Sequence, residues 1–411
     1  MEEYLRRYPT GLISAALDDT KLRKTGRKIP SAFWQRDPLS PPFHVNLLYG
    51  LRFLGASLIF PHYKEGDVAA RAAPVRFVEC PAVNKPGKRA DEEERRDYRE
   101  AIKIHNLSRD GLQVMKGIRD SLDLMGGRER TVLTVVDGSL CNRRVFKADL
   151  DRMELVARCR KDARLCFPAP RGSRRLYAPQ RFTPEGVRQD ENIPWKRAKV
   201  HFGGAWRKIR YKQVNGVLWR RGAGVRRLRL LVIAPQPYKL SPHARTHYRQ
   251  PAYLVTADDY TPAALLIQAY FDRWRIEVNH REIKDILGVG QAQVRSARSV
   301  PRQPAFAAAS YSLLLLAGLL EFGPGGAFGA IPSSPCPSGE RTRNAPRPWT
   351  SSPCCERKST KRPFRIVCAQ RSLKIRSPTL ILNPDYCPNS RPRATPWVPA
   401  DEVSPSPERA K

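Results

Sequence analysis

The chain lacks the cysteine patterns of zinc-binding and disulfide-rich proteins. Its nine cysteines form no CxxC pair and no Cys/His cluster at zinc spacing, which predicts reduced thiols in the cytoplasm. The first residues, MEEYLRRYPT, contain no apolar stretch of the kind found in secretion signals. The sequence also contains no internal repeat. These absences argue against the secreted, zinc-binding and repeat classes, and we expect a cytoplasmic protein.

Acidic residues are few compared with basic ones. The 411 residues include 74 Lys+Arg and 39 Asp+Glu, which gives a formal net charge of +35. Such a surface attracts polyanions, and nucleic acid is the commonest polyanion that a cytosolic chain meets. The longest apolar run, Ala305–Phe322, includes Glu321 and lies in a basic context, which predicts a buried core helix rather than a membrane span. We therefore expect a nucleoid-associated protein with no membrane partner.

The spacing of apolar residues predicts an α/β fold. Strands are expected at 11–18, 43–59, 75–80, 130–137 and 154–160, and helices at 90–125, 143–151, 261–288 and 305–322. The order strand-strand-strand-helix-strand-helix-strand, with a later helix, matches the ribonuclease H-like fold. We therefore expect a mixed five-stranded sheet flanked by helices.

Residues 167–253 have a different composition, rich in Arg, Trp and Gly with short strand-like runs at Trp206–Val214, Val217–Trp219 and Leu228–Ile233. This segment predicts a β-rich basic insertion before the later helix. The domain prediction is therefore 1–166 for the first part of the ribonuclease H-like domain, 167–253 for the insertion, 254–322 for its return and 323–411 for a tail. Residues 331–411 hold 15 prolines and show no periodicity, so we expect this tail to be disordered.

A helix-sized segment, Ala269–Gly288, carries an unusual set of polar residues on one face. Tyr270, Arg273, Glu277 and Lys284 lie at offsets of 0, 3, 7 and 14 residues, which at about 100° per residue places them within an arc of roughly 60°. A carboxylate beside two cations and a phenol suits a site that binds a metal and phosphates. The alternative is a solvated helix face, on which pairs such as Arg273–Glu277 stabilise the helix without any function.

Two further acids lie at the ends of predicted strands. Asp137 ends the apolar run VLTVVD before the turn Gly138-Ser139, although an Asp here could instead cap the next helix. Asp18 ends the first predicted strand, and Asp19 is the alternative at this position; a local Asx-turn is the structural alternative for either. Carboxylates from separate elements are what two-metal phosphoryl transfer requires, because Mg²⁺ prefers oxygen ligands.

The spacing Y-(2)-R-(3)-E-(6)-K closely resembles the Glu-bearing helix of bacterial insertion-sequence DDE transposases, in the branch named for that Tyr-Arg-Glu-Lys signature. Members carry the first Asp in an Asp-x-Ser/Thr context, as in Asp18-Asp19-Thr20. The second Asp lies at a strand end before a helix, as in VVDGSLCNRRVF, and a strand with the texture LVARCRKDARL follows. The resemblance covers about residues 11–320.

This resemblance implies a catalytic region that cleaves DNA strands and joins them to a target. The catalytic and metal-binding residues would be Asp18, Asp137 and Glu277, and the contacts to DNA phosphates would come from Tyr270, Arg273 and Lys284. Two Mg²⁺ ions, or Mn²⁺ as a substitute, would activate a water that frees a 3′-hydroxyl, and this hydroxyl would then attack the target. The expected partner is double-stranded DNA, as transposon ends and as target, and the resemblance allows a homodimer in the DNA complex.

The predicted insertion interleaves basic and aromatic residues, at Trp195-Lys196-Arg197, Trp206-Arg207-Lys208, Arg210-Tyr211-Lys212 and Trp219-Arg220-Arg221. Basic groups can follow phosphates while an aromatic ring stacks on an unpaired base. Related transposases use an aromatic residue of such an insertion in this way. A core position is an equally good interpretation for each Trp.

The chain departs from the family at both ends. Members begin with a helical domain that recognises transposon ends, whereas here only 17 residues precede Asp18, so we expect a truncated copy. The tail has no counterpart in the family. Two other functions therefore stay open: a non-catalytic DNA-binding remnant of a decayed transposase, and a ribonuclease H-like nuclease that acts outside transposition.

Overall fold

A computed structural model describes residues 1–329, except 38, 39, 42, 67, 84 and 239–244. The strands are β1 Ile13–Arg23, β2 Phe33–Arg36, β3 Leu47–Phe60, β4 Arg71–Glu79, β5 Val132–Val136, β6 Met153–Arg158, β7 Leu165–Pro168, β8 Tyr177–Phe182, β9 Lys196–Phe202, β10 Ala205–Leu218, β11 Arg227–Ile233, β12 Pro237–Tyr238, β13 His247–Tyr248 and β14 Ala252–Thr256. The helices are α1 Glu2–Arg7, α2 Glu92–Ile104, α3 Leu107–Leu124, α4 Arg143–Lys147, α5 Pro184–Gln189, α6 Ala263–Asp272, α7 Trp274–Asp285 and α8 Ser299–Gly329.

One mixed sheet organises the described residues. Its strands run in the order β2-β3-β1-β5-β6-β14-β11-β10-β7-β8, with β4 also paired to β3 and β9 to β10. The strands β1, β5 and β6 are parallel, whereas β3 and β14 flank them in antiparallel pairing. The prediction of a mixed α/β sheet flanked by helices is confirmed. The expected five strands are too few, because the strands of the 167–253 segment extend the same sheet through β14.

The first strand is longer than its sequence suggested. We expected it to end at Asp18, but β1 continues to Arg23. It does so because β3 pairs with it along this whole stretch, from Ala15 opposite Leu58 to Arg23 opposite Gly50. Asp18 therefore lies within a strand, where it pairs with Gly55 of β3. The central strand β5 is buried at every position, as its continuous apolar run predicted.

The two faces of the sheet carry different helices. On one face, alternate residues of β1, β5 and β6 such as Leu17, Val136 and Ala157 pack against α3 and α4 in one apolar cluster. On the other face, α6 covers Leu133 and Val135, and α7 and α8 cover the β1 and β3 end of the sheet. Side chains that succeed one another along a strand alternate between these faces.

Two of the expected helices are each a pair of helices. The 90–125 segment divides at Asn106, whose side chain accepts a hydrogen bond from the Arg109 backbone N–H and so begins α3. The 261–288 segment divides at Arg273, which ends α6 and begins α7 with α-helical backbone angles. The change of helix at Arg273 lies in the middle of the Tyr-Arg-Glu-Lys signature.

The helix α8 extends on both sides of the expected 305–322 segment. It bends at Gly323, whose φ of 71° is left-handed, and continues to Gly329. The residues after Gly323 are therefore helical as far as 329, and the rest of the predicted tail lies outside the described residues. Its Ser299–Pro324 part is long and apolar enough to cross a membrane. The expected buried core helix is buried on one side only, because Ala308 and Tyr311 pack inward while Leu313 and Phe322 are exposed.

Candidate active site

Sheet register brings the two aspartates together. Leu17 of β1 lies opposite Val136 of β5 in parallel pairing. The residues that follow them in the sequence are Asp18 and Asp137. Neighbouring strands lie about 4.8 Å apart, and side chains at matched positions point to the same face. Both carboxylates consequently lie on the face covered by α6 and α7. The influence of Asp137 on the pKa of Asp18 agrees with this proximity.

The position of α7 on this face depends on a glycine and on polar contacts. A Cβ at Gly55, the residue opposite Asp18 on β3, would lie 2.7 Å from His280 Nε2, so that only glycine leaves room for this histidine. The Asn279 amide donates to the Ala72 carbonyl oxygen at 3.0 Å. Ile276 and Ile283 are buried between these polar contacts. Burial lowers the pKa of His280 to about 3, so the imidazole is neutral at working pH.

Arg273 connects the carboxylates of β1 and α7. Its guanidinium donates to Asp18 Oδ2 at 2.9 Å and to Glu277 Oε1 at 2.8 Å. Burial lowers the pKa of Arg273, but the charges of Asp18, Asp137 and Glu277 raise it above its ordinary value. The Arg273 side chain is only 7% exposed, which means that this signature face packs against the sheet. The solvated helix face that we considered as the alternative does not occur here.

Two carboxylates of the site, Asp18 and Glu277, hold protons more tightly than free carboxylates do. Burial raises the pKa of Asp18 to about 7; the charges of Asp137 and Glu277 raise it further, while Arg273 opposes them. Burial likewise raises the pKa of Glu277, with Asp137 contributing in the same direction and Arg273 against it. A carboxylate whose pKa is raised by burial and by a neighbouring negative charge is characteristic of a functional site.

The other two signature residues lie on the same side of the sheet. Lys284 donates from Nζ to Thr20 Oγ1 at 2.7 Å, and burial lowers the pKa of this lysine. Tyr270 is partly buried beside Arg158, and its pKa is raised by burial. The structure therefore brings all six predicted site residues to one face of the sheet, with Lys284 farther along β1 beside Thr20.

The structure also distinguishes Asp18 from Asp19. The Asp18 side chain lies on the α7 side, with Thr20 and its Lys284 contact two residues along the same face. Asp19 follows Asp18 in a regular strand and belongs to the opposite face. Its backbone N–H donates to Asp18 Oδ1 at 2.9 Å. Asp18 is therefore the better candidate ligand.

The donor atoms are chemically suited to a hard divalent cation. Asp18 and Glu277 direct carboxylate oxygens at one shared cation, the Arg273 guanidinium, and Asp137 lies beside them. Oxygen ligands of this kind are those that Mg²⁺ and Mn²⁺ prefer. In the described part of the chain, no three His, Cys, Asp or Glu side chains form a ready group around one point. The guanidinium separates two of the three donors, and metal binding stays a prediction.

Sequence reasoning did not identify Arg158 as part of the site. It ends β6, and the register from Val136 opposite Ala157 places it beside Asp137 on the same face. Its charge lowers the pKa of Glu277. The sequence did contain a signal: β5 is followed by an acid, Asp137, and β6 ends in a basic residue, Arg158. Neighbouring parallel strands end at the same edge of a sheet, so these two side chains lie close together.

A cleft opens from the site at this edge and is named here the Asp137 cleft. It has a volume of about 1360 Å³ and lies between the end of β6, α5 and the turn after β10; its lining includes Asp137, Arg158, Lys161, Arg164, Arg188 and Arg221. A smaller cavity of about 420 Å³ lies at the junction of α6 and α7. Arg158 and Gln250 line both, so the two spaces adjoin.

The tryptophans of the 167–253 segment have different surroundings. Trp195 packs under Lys212 and Arg210, with the Lys212 Nζ 4.9 Å from the ring centre. Trp206 packs edge-on against Tyr63 and His201. Trp219 lines the Asp137 cleft. Trp219 also packs edge-on against Phe146. All three rings therefore have packing partners within the fold, and Trp219 is the one that lines the Asp137 cleft.

No protein-family model matches the chain, and the search of curated proteins finds no match to it either. The site is thus defined by the register of β1, β5 and β6 and by the contacts of α7 alone. Both are properties of this chain's own described residues.

Proposed function

We propose that this chain is the catalytic region of a DDE transposase, which cleaves DNA strands and transfers them with the help of divalent metal ions. The observation that carries the proposal is that Asp18, Asp137 and Glu277, from three separate elements, lie on one face of the sheet around Arg273. Structural ion pairs rarely need three mutually repelling carboxylates at one place, whereas phosphoryl transfer with metal ions does.

The ribonuclease H-like assignment belongs to the same proposal. The chain order β1, β3, β4, α3, β5, α4, β6 repeats the strand-strand-strand-helix-strand-helix-strand order of that fold, with β2 and α2 as additions. The later helix α7 then carries Glu277 to the face of Asp18 and Asp137. This order supports the assignment because each of the three acids arises from the element that the resemblance requires.

Each residue of the site has a separate task in the proposed reaction. Bound Mg²⁺ ions would activate a water and offset the charge on the phosphate that is cut. Asp18, Asp137 and Glu277 would hold these ions through carboxylate oxygens. Arg273 donates to Asp18 and Glu277 in this structure, and it would contact a phosphate oxygen once metal ions take its place at these carboxylates. Lys284 would add a second cation on the same face.

A nicking assay on supercoiled plasmid tests the proposal. We expect Mg²⁺ or Mn²⁺ to support feeble nicking and Ca²⁺ to support DNA retention with little cleavage, because Ca²⁺ accepts irregular coordination at longer distances. The Glu277→Gln change keeps the side-chain size and removes the charge, so nicking should fall by about 100-fold or more. The matched Asp285→Asn change, on the exposed side of the same helix, should leave it unchanged.

The second candidate function is a non-catalytic DNA-binding remnant. The pairing of Arg273 with both Asp18 and Glu277 favours it, because those carboxylates already have a cation. The remnant would retain DNA as strongly as the enzyme but would nick no faster than the Glu277→Gln variant. Nicking that survives Glu277→Gln unchanged would remove Glu277 from the mechanism altogether.

A further inference from the structure

The Asp137 cleft leads away from the carboxylates on the side opposite Lys284. Its inner end is formed by Asp137 and Arg158, at the carboxyl ends of β5 and β6. Ligands of α/β sheets commonly bind at such strand ends. The cleft is therefore continuous with the candidate site, and whatever occupies it would extend from the reacting phosphate.

The charge along this cleft is mostly unpaired. Arg160 pairs with Asp162 at 2.9 Å, and Arg188 pairs with Glu185 at 2.6 Å. Four further lining cations have no carboxylate oxygen within 4.0 Å among the residues that the structure describes: Arg158, Lys161, Arg164 and Arg221. The six lining cations outnumber the three lining acids, Asp137, Asp162 and Glu185. Such an excess of positive charge in a concave surface attracts an extended polyanion.

The walls of the cleft are held in place by contacts within the fold. Glu185 accepts hydrogen bonds from Arg188 and Tyr253, and the bond from Arg188 lowers the pKa of Glu185 to about 2. On the opposite wall, a Cβ at Gly222 would lie 2.0 Å from the Trp219 ring, so the turn closes tightly onto that ring. The charge of Arg188 is thus paired within the wall, whereas Lys161, Arg164 and Arg221 are exposed at the surface.

We propose that the Asp137 cleft binds the phosphodiester backbone of the DNA segment that leaves the site on the Asp137 side of the cut. This assignment of direction rests on the proposed function, because it takes the carboxylates as the place of cutting. Lys161, Arg164 and Arg221 contact successive phosphates of this segment, and Arg158 contacts the phosphate nearest to the carboxylates. The signature residues Arg273 and Lys284 then serve the DNA on the other side.

A binding titration of the full chain without divalent metal tests the cleft independently of cleavage. The probe is a fluorescent DNA duplex, and affinity is measured against salt concentration. Each phosphate contact contributes about 0.9 to the slope of log affinity against log salt. We expect Lys161→Ala to lower this slope by about one, and Arg164→Ala with Arg221→Ala to lower it by about two. The matched control is Lys116→Ala on the exposed side of α3, which should leave the slope unchanged.

Two further arms identify the ligand. The duplex is compared with the same duplex carrying a single-stranded extension. If the cleft variants lose more of the salt slope with the extension, the ligand of the cleft is an unpaired strand, and if they lose the same slope with both probes, the ligand is the duplex backbone. Polyglutamate serves as an acidic competitor of matched charge. Equal competition by polyglutamate, or equal loss of slope in Lys116→Ala and Lys161→Ala, would overturn the cleft as a DNA site.

Failure of the cleft and failure of the proposed function give different results. If the cleft is wrong but the function is right, Lys161→Ala binds like the wild-type protein while Glu277→Gln still abolishes nicking. If the function is wrong but the cleft is right, nicking is unaffected by Glu277→Gln while Lys161→Ala still loses salt dependence.

Discussion

The helices α3 and α7 lie on opposite faces of the same sheet and pack against it by different means. The inward side of α3 is mostly apolar, with Val114, Met115, Ile118 and Leu122 buried in the largest core cluster and Arg119 as its one buried charge. The inward side of α7 carries Ile276 and Ile283, but between them lie polar and charged groups.

This difference indicates that α3 mainly stabilises the fold, whereas α7 mainly positions side chains of the candidate site. Apolar contacts are non-directional and tolerate small shifts, whereas the α7 contacts are directional hydrogen bonds at 2.7–3.0 Å from Arg273, Asn279 and Lys284. Burying polar and charged groups costs stability unless each one is paired. We infer that α7 retains such groups because the direction of Glu277 matters more than packing energy.

The largest expected effect comes from the apolar helix. The Ile118→Ala change removes a side chain that is 0% exposed and should lower the free energy of unfolding by about 2–5 kcal/mol, through lost burial and a residual cavity. Chemical denaturation measures this loss. The control is Leu124→Ala, whose side chain on the same helix is 88% exposed and should cost under about 0.5 kcal/mol. DNA binding by folded Ile118→Ala should stay at the wild-type value, and a loss there would contradict the separation of the two helices.

A change under the positioning helix should cost less stability and more function. Gly55→Ala places a Cβ against His280 and should lower the free energy of unfolding by about 1–3 kcal/mol, because a packed interior resists added volume. The nicking rate should fall by more than the loss of folded protein explains, because α7 must shift and carries Glu277 with it.

A double-mutant cycle isolates this contact. Adding His280→Ala to Gly55→Ala should restore part of both losses, because the removed ring is the one that the new Cβ meets. Gly66→Ala, at a position with nothing within 4 Å of its Cβ, is the control. Strictly additive effects of Gly55→Ala and His280→Ala would show that His280 does not set the position of α7.

The smallest expected effect is a change in pH dependence at the junction of α6 and α7. Burial raises the pKa of Asp272 to about 7, while hydrogen bonds from Tyr63 and Gln268 act against the shift. The folded protein therefore holds this proton more tightly than the unfolded chain does. Its stabilising contribution is complete below about pH 4 and is lost as pH rises to about 7.

Asp272→Asn removes this titration. The difference in unfolding free energy between pH 5 and pH 8 should shrink by roughly 1–3 kcal/mol in this variant, whatever its absolute stability. Denaturation curves at both pH values measure it, with Asp120→Asn on the exposed side of α3 as the control. An unchanged difference in the Asp272 variant would mean that Asp272 is ionised across this range in the folded protein.

The pattern of the sequence predicted the elements better than their limits. The buried run VLTVVD became β5 as expected, because a strand covered on both faces has no polar position. The end of β1 was placed too early, because the acids Asp18 and Asp19 look like a strand end until β3 is known to pair beside them. Pairing partners distant in the chain, such as β11 with β14, likewise extended the sheet beyond the predicted domain.

The candidate site, too, was predicted only in part from the sequence. Helical spacing alone grouped Arg273, Glu277 and Lys284, because an α-helix repeats regularly with sequence. It could not show that Arg273 is buried, nor that Arg273 joins Asp18 across 255 residues. Arg158 was missed for the same reason, since its place beside Asp137 follows from the pairing of β5 with β6.

The sequence by itself determined the net charge and the local features of this protein. The strand and helix periods and the spacing of the signature residues depend only on neighbours along the chain. Tertiary structure alone decided which aspartate faces α7, which glycine admits His280 and which basic residues line the Asp137 cleft. The physical reason is that these relations depend on strand register. A shift of one residue in register would turn Asp18 to the other face without altering any local pattern.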